Sequence, residues 1–223
     1  MKDRDDAIIR SDQAAYLSTI LPARDALLTE MEAYSAEHHV PSSDPEVALF
    51  LAITAKAINA RRALEFGTAI GYGAITLARA MHPDGRVTTI EPSEEKIRIA
   101  RGFIERAGLT SNIEIVKGKA LDVIPQLDPG FDLAYIDAVK EEYTDYLNVI
   151  IPKMRIGGVI LADNVLWKGQ VASGNLRSPD QEASTNALRE FNHAFTTHPQ
   201  LSSIILPLGD GLAYGIRTAT INS

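Results

Sequence analysis

The 223-residue chain is 45% hydrophobic and 23% charged, a balance that suits one globular domain over residues 1–223, with residues 1–40 as an N-terminal helical extension. Its 22 basic and 29 acidic residues leave a formal charge of -7, which repels phosphate backbones at long range and disfavours non-specific nucleic-acid binding. The absence of cysteine excludes disulfides, thiolate metal sites and a cysteine nucleophile; the charged start MKDRDDAIIR has no signal-peptide apolar core, and no apolar run approaches the ~20 residues of a membrane span, so a cytoplasmic protein is expected.

Apolar residues Tyr16, Leu17, Ile20, Leu27, Leu28 and Met31 recur at helical spacing and predict one helix from about Ser11 to Glu37. After HHVPSSDPEV, in which Ser43 or Asp44 suits an N-cap and Pro45 a first turn, a second helix is predicted over 46–59. Short apolar runs then alternate with helical segments. Strands are predicted at 62–67, 86–91, 112–118, 131–137 and 157–163, separated by helices ending near Met81, Ala107, Leu127 and Lys153. Strand-helix alternation of this kind implies right-handed crossovers and a parallel sheet covered on both faces. Beyond a polar loop near 168–180 and a helix at about 181–197, SSIILPL and LAYGIRT flank GDG and read as an antiparallel hairpin. The fold class is therefore α/β, a Rossmann-like doubly wound sheet of seven strands, mostly parallel, closed by that hairpin.

Such a sheet binds ligands beyond the carboxyl ends of its strands, where strand order reverses. EFGTAIGYGAI (65–75) ends the first strand and opens a helix; its glycines permit close backbone approach, although turn glycines alone would look the same. Glu91 ends the second strand, where an acid can accept from a ribose hydroxyl pair. Nicotinamide dinucleotide and S-adenosylmethionine both suit this half-site. The glycine spacing departs from the G-x-G-x-x-G fingerprint, and Glu65 offers a carboxylate for an ammonium group, which favours adenosylmethionine. Asp137, Asp163 and Asn164 at two further strand ends form an all-oxygen donor set suited to Mg²⁺, with Ca²⁺ or Mn²⁺ next, unless Asp163 and Asn164 only cap a turn. Lys140, three residues beyond Asp137, is a candidate base at the same rim.

The runs EFGTAIGYGAI, IEPSEEKIRIAR, GKALDVIPQL, YIDAVKEEY, LADNVLWKG and LPLGDGLAYGIR together resemble the metal-dependent O-methyltransferases of the caffeoyl-CoA and catechol type, bacterial branch, from about Val40 to Arg217. The resemblance implies metal ligation by Asp137, Asp163 and Asn164 and proton abstraction by Lys140. It implies cofactor contacts at Ser42, Glu65, Gly67, Thr68, Gly71, Tyr72, Gly73, Glu91, Ala120 and Asp137. It also implies a catechol-like acceptor, shaped by Trp167, Lys168 and the following loop, and a homodimer. Gly73 departs from the family's usual serine, which predicts weaker cofactor binding. Two other readings stand beside this one: methylation of hydroxylated uridine in transfer RNA, and a cofactor-binding protein without catalysis.

Overall fold

The computed structural model describes residues 11–173, 176 and 178–219. Among them, the single N-terminal helix expected over Ser11–Glu37 is two helices, α1 (Ser11–Thr19) and α2 (Ala26–His38). The break falls around Pro22, which lacks an N–H and restricts the residue before it, so apolar spacing alone could not carry one helix through. Asp25 restarts the helix by accepting from the Leu28 N–H at 2.9 Å. α1 buries none of its side chains, whereas α2 seats Met31 in the core. α3 (Pro45–Ala57) begins with Pro45 in its first turn, and Asp44, not Ser43, is its N-cap.

The remaining elements follow the expected alternation: β1 (Arg62–Phe66), α4 (Tyr72–Ala80), β2 (Arg86–Glu91), α5 (Glu94–Arg106), β3 (Ile113–Lys117), α6 (Ala120–Val123), β4 (Phe131–Ile136), α7 (Tyr143–Ile150), β5 (Met154–Ala162), α8 (Gln170–Ser173), α9 (Glu182–Thr197), β6 (Leu201–Leu206) and β7 (Leu212–Arg217). Single 3₁₀ turns flank the shorter helices. β5 starts three residues earlier than expected, because its pairing with β4 jumps from Phe131↔Met154 to Leu133↔Val159; a bulge there accommodates Gly157 at φ 79°. The loop expected near 168–180 carries α8 and two 3₁₀ turns; residues 174, 175 and 177 lie outside the described residues.

The seven strands run in the order β3-β2-β1-β4-β5-β7-β6, with β1 to β5 mutually parallel and β7 antiparallel between β5 and β6. Alternation along each strand sends Ala63, Leu133, Tyr135 and Leu161 to the face covered by α2, α3, α4 and α5. Leu64, Ala134, Ile136 and Ile160 go to the face covered by α6, α7 and α9. Strand order reverses between β1 and β4, which opens a crevice at their carboxyl ends. No helix among the described residues is long and apolar enough to cross a membrane.

Candidate active site

A cleft of about 520 Å³ opens at that reversal point, lined from the ends of β1, β2 and β4, the segment before α3, and the loop after β5. Its size falls in the ~300–1,000 Å³ range of small-molecule sites.

At the β1–β2 end the chain turns sharply into α4. Gly67 takes φ 93°, and a Cβ there would collide with the main-chain oxygen of Asp137, so only glycine lets the β1 and β4 ends close up. The Gly67 and Thr68 N–H groups donate to the Ile90 carbonyl at 3.1 and 3.2 Å, tying the turn to β2. Gly71, at φ 92°, caps α4. Glu91 is oriented by two backbone donors, Ala69 N–H on Oε2 and Ser93 N–H on Oε1, both at 3.0 Å. Each oxygen keeps a lone pair for a ligand hydroxyl. Glu65 is buried beside Thr89, its register partner on β2, whose hydroxyl donates to Oε2 at 2.6 Å. Burial drives the Glu65 carboxyl up to about 8; the Thr89 bond opposes this, and the nearby Asp137 and Glu91 charges add to it.

At the β4–β5 end Lys140 is the hub. Its ammonium donates to Asp137 Oδ1 at 3.0 Å, to Asn164 Oδ1 at 2.9 Å and to the Tyr143 hydroxyl at 2.6 Å, so each of its three protons has an acceptor. Two of the three oxygen donors expected from the sequence thus converge on one cation. The third, Asp163, is buried next to them. Its Oδ1 accepts from the Asn164 N–H at 2.7 Å and its Oδ2 from the Tyr135 hydroxyl at 2.8 Å, while Ser43 Oγ stands 2.8 Å from that hydroxyl. Burial, reinforced by the Asp137 charge, drives the Asp163 carboxyl up to about 7. Among the described residues no cluster of three or more His, Cys, Asp or Glu side chains is arranged to hold a metal. The set here has only two carboxylates, with an amide oxygen as third donor.

Ser42, Glu65, Gly67, Thr68, Tyr72, Gly73, Glu91, Asp137, Lys140 and Asn164 all line this one cleft. Gly71, Ala120 and Asp163 stand behind the lining: Ala120 opens α6 in the apolar layer beneath β2. The Tyr72 side chain turns away, its hydroxyl donating to Glu32 of α2 at 2.7 Å. Tyr143 and Tyr146 are core residues, although the Tyr143 hydroxyl holds Lys140. Trp167 lines the cleft with its ring packed on the α9 side of the core. None of the five histidines lines the cleft. Sequence reasoning missed Thr89, Tyr135 and Ser43. The first two were accessible through strand alternation, since Glu65 pairs with Thr89 on one side and Tyr135 on the other; Ser43 reaches Tyr135 only through the tertiary fold.

The profile of the O-methyltransferase family matches residues 18–218. A catechol O-methyltransferase of Niastella koreensis is 35% identical over 212 residues, covering 90% of this chain and 94% of that protein. A catechol O-methyltransferase of Mycobacterium tuberculosis is 36% identical over 195 residues, 86% of each chain. The crystal structure of an O-methyltransferase from Bacillus cereus in complex with SAH superposes with a TM-score of 0.80 at 31% identity, covering 91% of this chain and 96% of that one. The chain therefore belongs to the O-methyltransferase family and is a methyl-transferring enzyme.

Proposed function

We propose that the protein transfers the methyl group of S-adenosylmethionine to a hydroxyl of a small catechol-like acceptor, assisted by a divalent cation, Mg²⁺ before Ca²⁺ or Mn²⁺, with the whole chain acting as one methyltransferase domain. The observation that carries this reading is the pairing within one cleft of the Glu65–Glu91 end with the Asp137–Lys140–Asn164 end. The SAH bound to the Bacillus cereus relative is the demethylated product of that cofactor, and the catechol O-methyltransferase relatives supply the acceptor class.

Glu91 suits the ribose hydroxyls and Glu65 the ammonium of the amino-acid end; Ser42, Gly67, Thr68, Gly71, Tyr72 and Gly73 shape the turn around them, and Ala120 suits the adenine side. The residues also suit a hard cation: Asp137 and Asn164 already direct oxygens at one positive centre, and Asp163 is the adjoining carboxylate. A divalent ion held there would lower the cost of deprotonating an acceptor hydroxyl. With Asp137 and Asn164 given over to the cation, Lys140 would keep Tyr143 as its anchor and, as the neutral amine left once its own proton has gone to solvent, would be the base at this rim that takes the acceptor proton. Bound S-adenosylmethionine would supply an electrophilic methyl group to the acceptor oxygen, the O–C bond forming as the S–C bond breaks. Trp167 offers its ring as one wall for an aromatic acceptor.

The cleft lining holds four carboxylates, Glu65, Glu91, Asp137 and Asp210, against three lysines and no arginine, which supports a small acceptor over transfer RNA. The exposed Tyr16 and Leu17 of α1 and Ile20 just after it, together with Ile53 of α3, offer an apolar surface to a second copy in a homodimer. The test is methyl transfer from labelled adenosylmethionine to catechols, caffeoyl esters and transfer RNA, with Mg²⁺ and with chelator. Labelling of a diphenol only when metal is present is the expected result. Labelling confined to RNA, or diphenol labelling that survives chelation, would overturn the acceptor or the metal respectively.

A further inference from the structure

Tyr135 is the last but one residue of β4; it is 1% exposed and points to the sheet face covered by α2 to α5. To fill that space a phenylalanine would serve equally, and a buried hydroxyl is a cost unless it is bonded. This one is bonded twice. It donates to Asp163 Oδ2 at 2.8 Å, and Ser43 Oγ stands 2.8 Å from the same hydroxyl. The hydroxyl has a single proton, which is spent on the carboxylate, so Ser43 is the donor to Tyr135. The chain of bonds therefore runs one way, from Ser43 through Tyr135 to Asp163, and all three side chains are buried.

Its two ends belong to different parts of the cleft. Ser43 lies in the segment before α3, which lines the cleft together with Glu65, Gly67 and Thr68 at the β1 end. Asp163 follows β5; Tyr135 pairs with Leu161 in the β4–β5 register, and two residues further on the carboxylate returns to the same face. Its other donors come from Asn164, whose backbone N–H and side-chain Nδ2 reach Oδ1 at 2.7 and 3.3 Å. Both carboxylate oxygens are thus tethered. Asp163 in turn fixes the Asn164 amide, since the nitrogen turned towards the carboxylate leaves Asn164 Oδ1 facing the Lys140 ammonium at 2.9 Å. Without the Tyr135 bond the carboxylate is held at one oxygen only and is free to turn.

We infer that Ser43 and Tyr135 are positioning residues for the divalent cation: their hydroxyls form a strap from the segment before α3 that holds the Asp163 carboxylate, and with it the Asn164 amide, in the orientation that receives the ion. The inference rests on the metal reading above and deepens it. Neither hydroxyl touches the ion; they act through the groups assigned to it, and partners of that kind are worth about 10–100-fold in metal affinity.

The experiment is calorimetric titration of the whole chain with Mn²⁺ and, separately, with S-adenosylhomocysteine. Tyr135→Phe keeps the ring and removes the hydroxyl, so it should bind Mn²⁺ about 10–100-fold more weakly while S-adenosylhomocysteine affinity stays within about threefold of the unaltered chain. Ser43→Ala removes only the donor behind Tyr135. It should weaken Mn²⁺ binding by about threefold to tenfold, and it carries the test if Tyr135→Phe does not fold. Adding Ser43→Ala to Tyr135→Phe should cost no further Mn²⁺ affinity, because Ser43 acts only through the tyrosine hydroxyl. Equal Mn²⁺ affinity in the unaltered and Tyr135→Phe proteins would overturn the inference alone, and so would a loss of S-adenosylhomocysteine affinity as large as the loss of Mn²⁺ affinity. An unaltered chain that takes up no Mn²⁺, or Mn²⁺ binding that survives Asp163→Ala, would overturn the metal reading with it.

Discussion

The two ends of the cleft are built in different ways. At the β1–β2 end every group follows within a few residues of a strand terminus, and its partners are register neighbours: Glu65 pairs with Thr89, and Glu91 accepts from the turn that follows β1. At the β4–β5 end the side chains come from strand tips too, but the wall around them is loop. Asn164, Trp167 and Lys168 all adopt positive φ, at 59°, 50° and 54°, and the segment is held by a turn more than forty residues further along the chain. An end made from parallel register is rigid by construction; an end made from strained loop depends on its clamps.

The sharpest way to separate the two ends is to remove the hub of the second. Lys140→Ala should lower kcat by roughly 10²–10⁴, the range for loss of a general base, while adenosylmethionine affinity measured by calorimetry stays within a few-fold of the original. Comparable losses in both quantities would show that the ends are not independent and would count against Lys140 as the base. The matching disruption of the first end is Gly67→Ala. The residue sits at φ 93°, and the added methyl meets the Asp137 carbonyl oxygen, so β1 and β4 must part. A loss of about 2–4 kcal/mol in unfolding free energy by urea titration is expected, with cofactor affinity falling in parallel. Near-native stability would contradict the close approach of the two strand ends.

A smaller effect probes the electrostatics of the first end. Glu65 in the folded protein has its carboxyl raised from 4.5 to about 8 by burial, so the folded state holds that proton more tightly than the unfolded chain does. Its contribution to stability is full below about pH 4.5 and is lost as pH rises through about 8. The cofactor-free protein should therefore lose stability across that window, and Asp163, raised from 3.8 to about 7, steepens the lower part of it. Glu65→Gln keeps an acceptor for Thr89 and removes the charge. It should flatten the pH dependence of the urea midpoint and gain about 2 kcal/mol near pH 8.5. An unchanged slope would mean that the carboxylate finds solvent.

The same contrast explains what could be read from the amino-acid sequence. Strand periodicity placed all seven strands, and acids at strand ends brought Glu65, Glu91 and Asp137 to one rim, with Lys140 three residues beyond Asp137, because a parallel sheet turns strand-end position into spatial neighbourhood. The sequence did not reveal that β7 inserts between β5 and β6, since a hairpin docks with either strand inward until packing decides. It misjudged α1 and α2 as one helix because apolar spacing continues across Pro22. Nor did it connect Ser43 to Tyr135, or GDG to the loop after β5, as both contacts join segments with no shared local pattern.

That last connection gives the mildest prediction and the one most specific to the second end. The Lys168 N–H donates to Asp210 Oδ1 at 2.5 Å, the Leu166 N–H to the Asp210 carbonyl and the Val165 N–H to the Gly211 carbonyl, each of the last two at 3.0 Å. These three bonds offset consecutive left-handed residues at Trp167 and Lys168, which are costly for non-glycine side chains. Asp210→Ala removes one bond and leaves the two main-chain ones, so the loop loosens without unfolding. KM for a catechol acceptor should rise about tenfold with a lesser change in kcat and none in cofactor affinity, and Asp210→Asn, whose amide oxygen still accepts, should recover most of the loss. If KM is unmoved by Asp210→Ala, the acceptor wall holds its shape without the hairpin, and the strain at 167 and 168 is borne by Trp167 packing on the core instead.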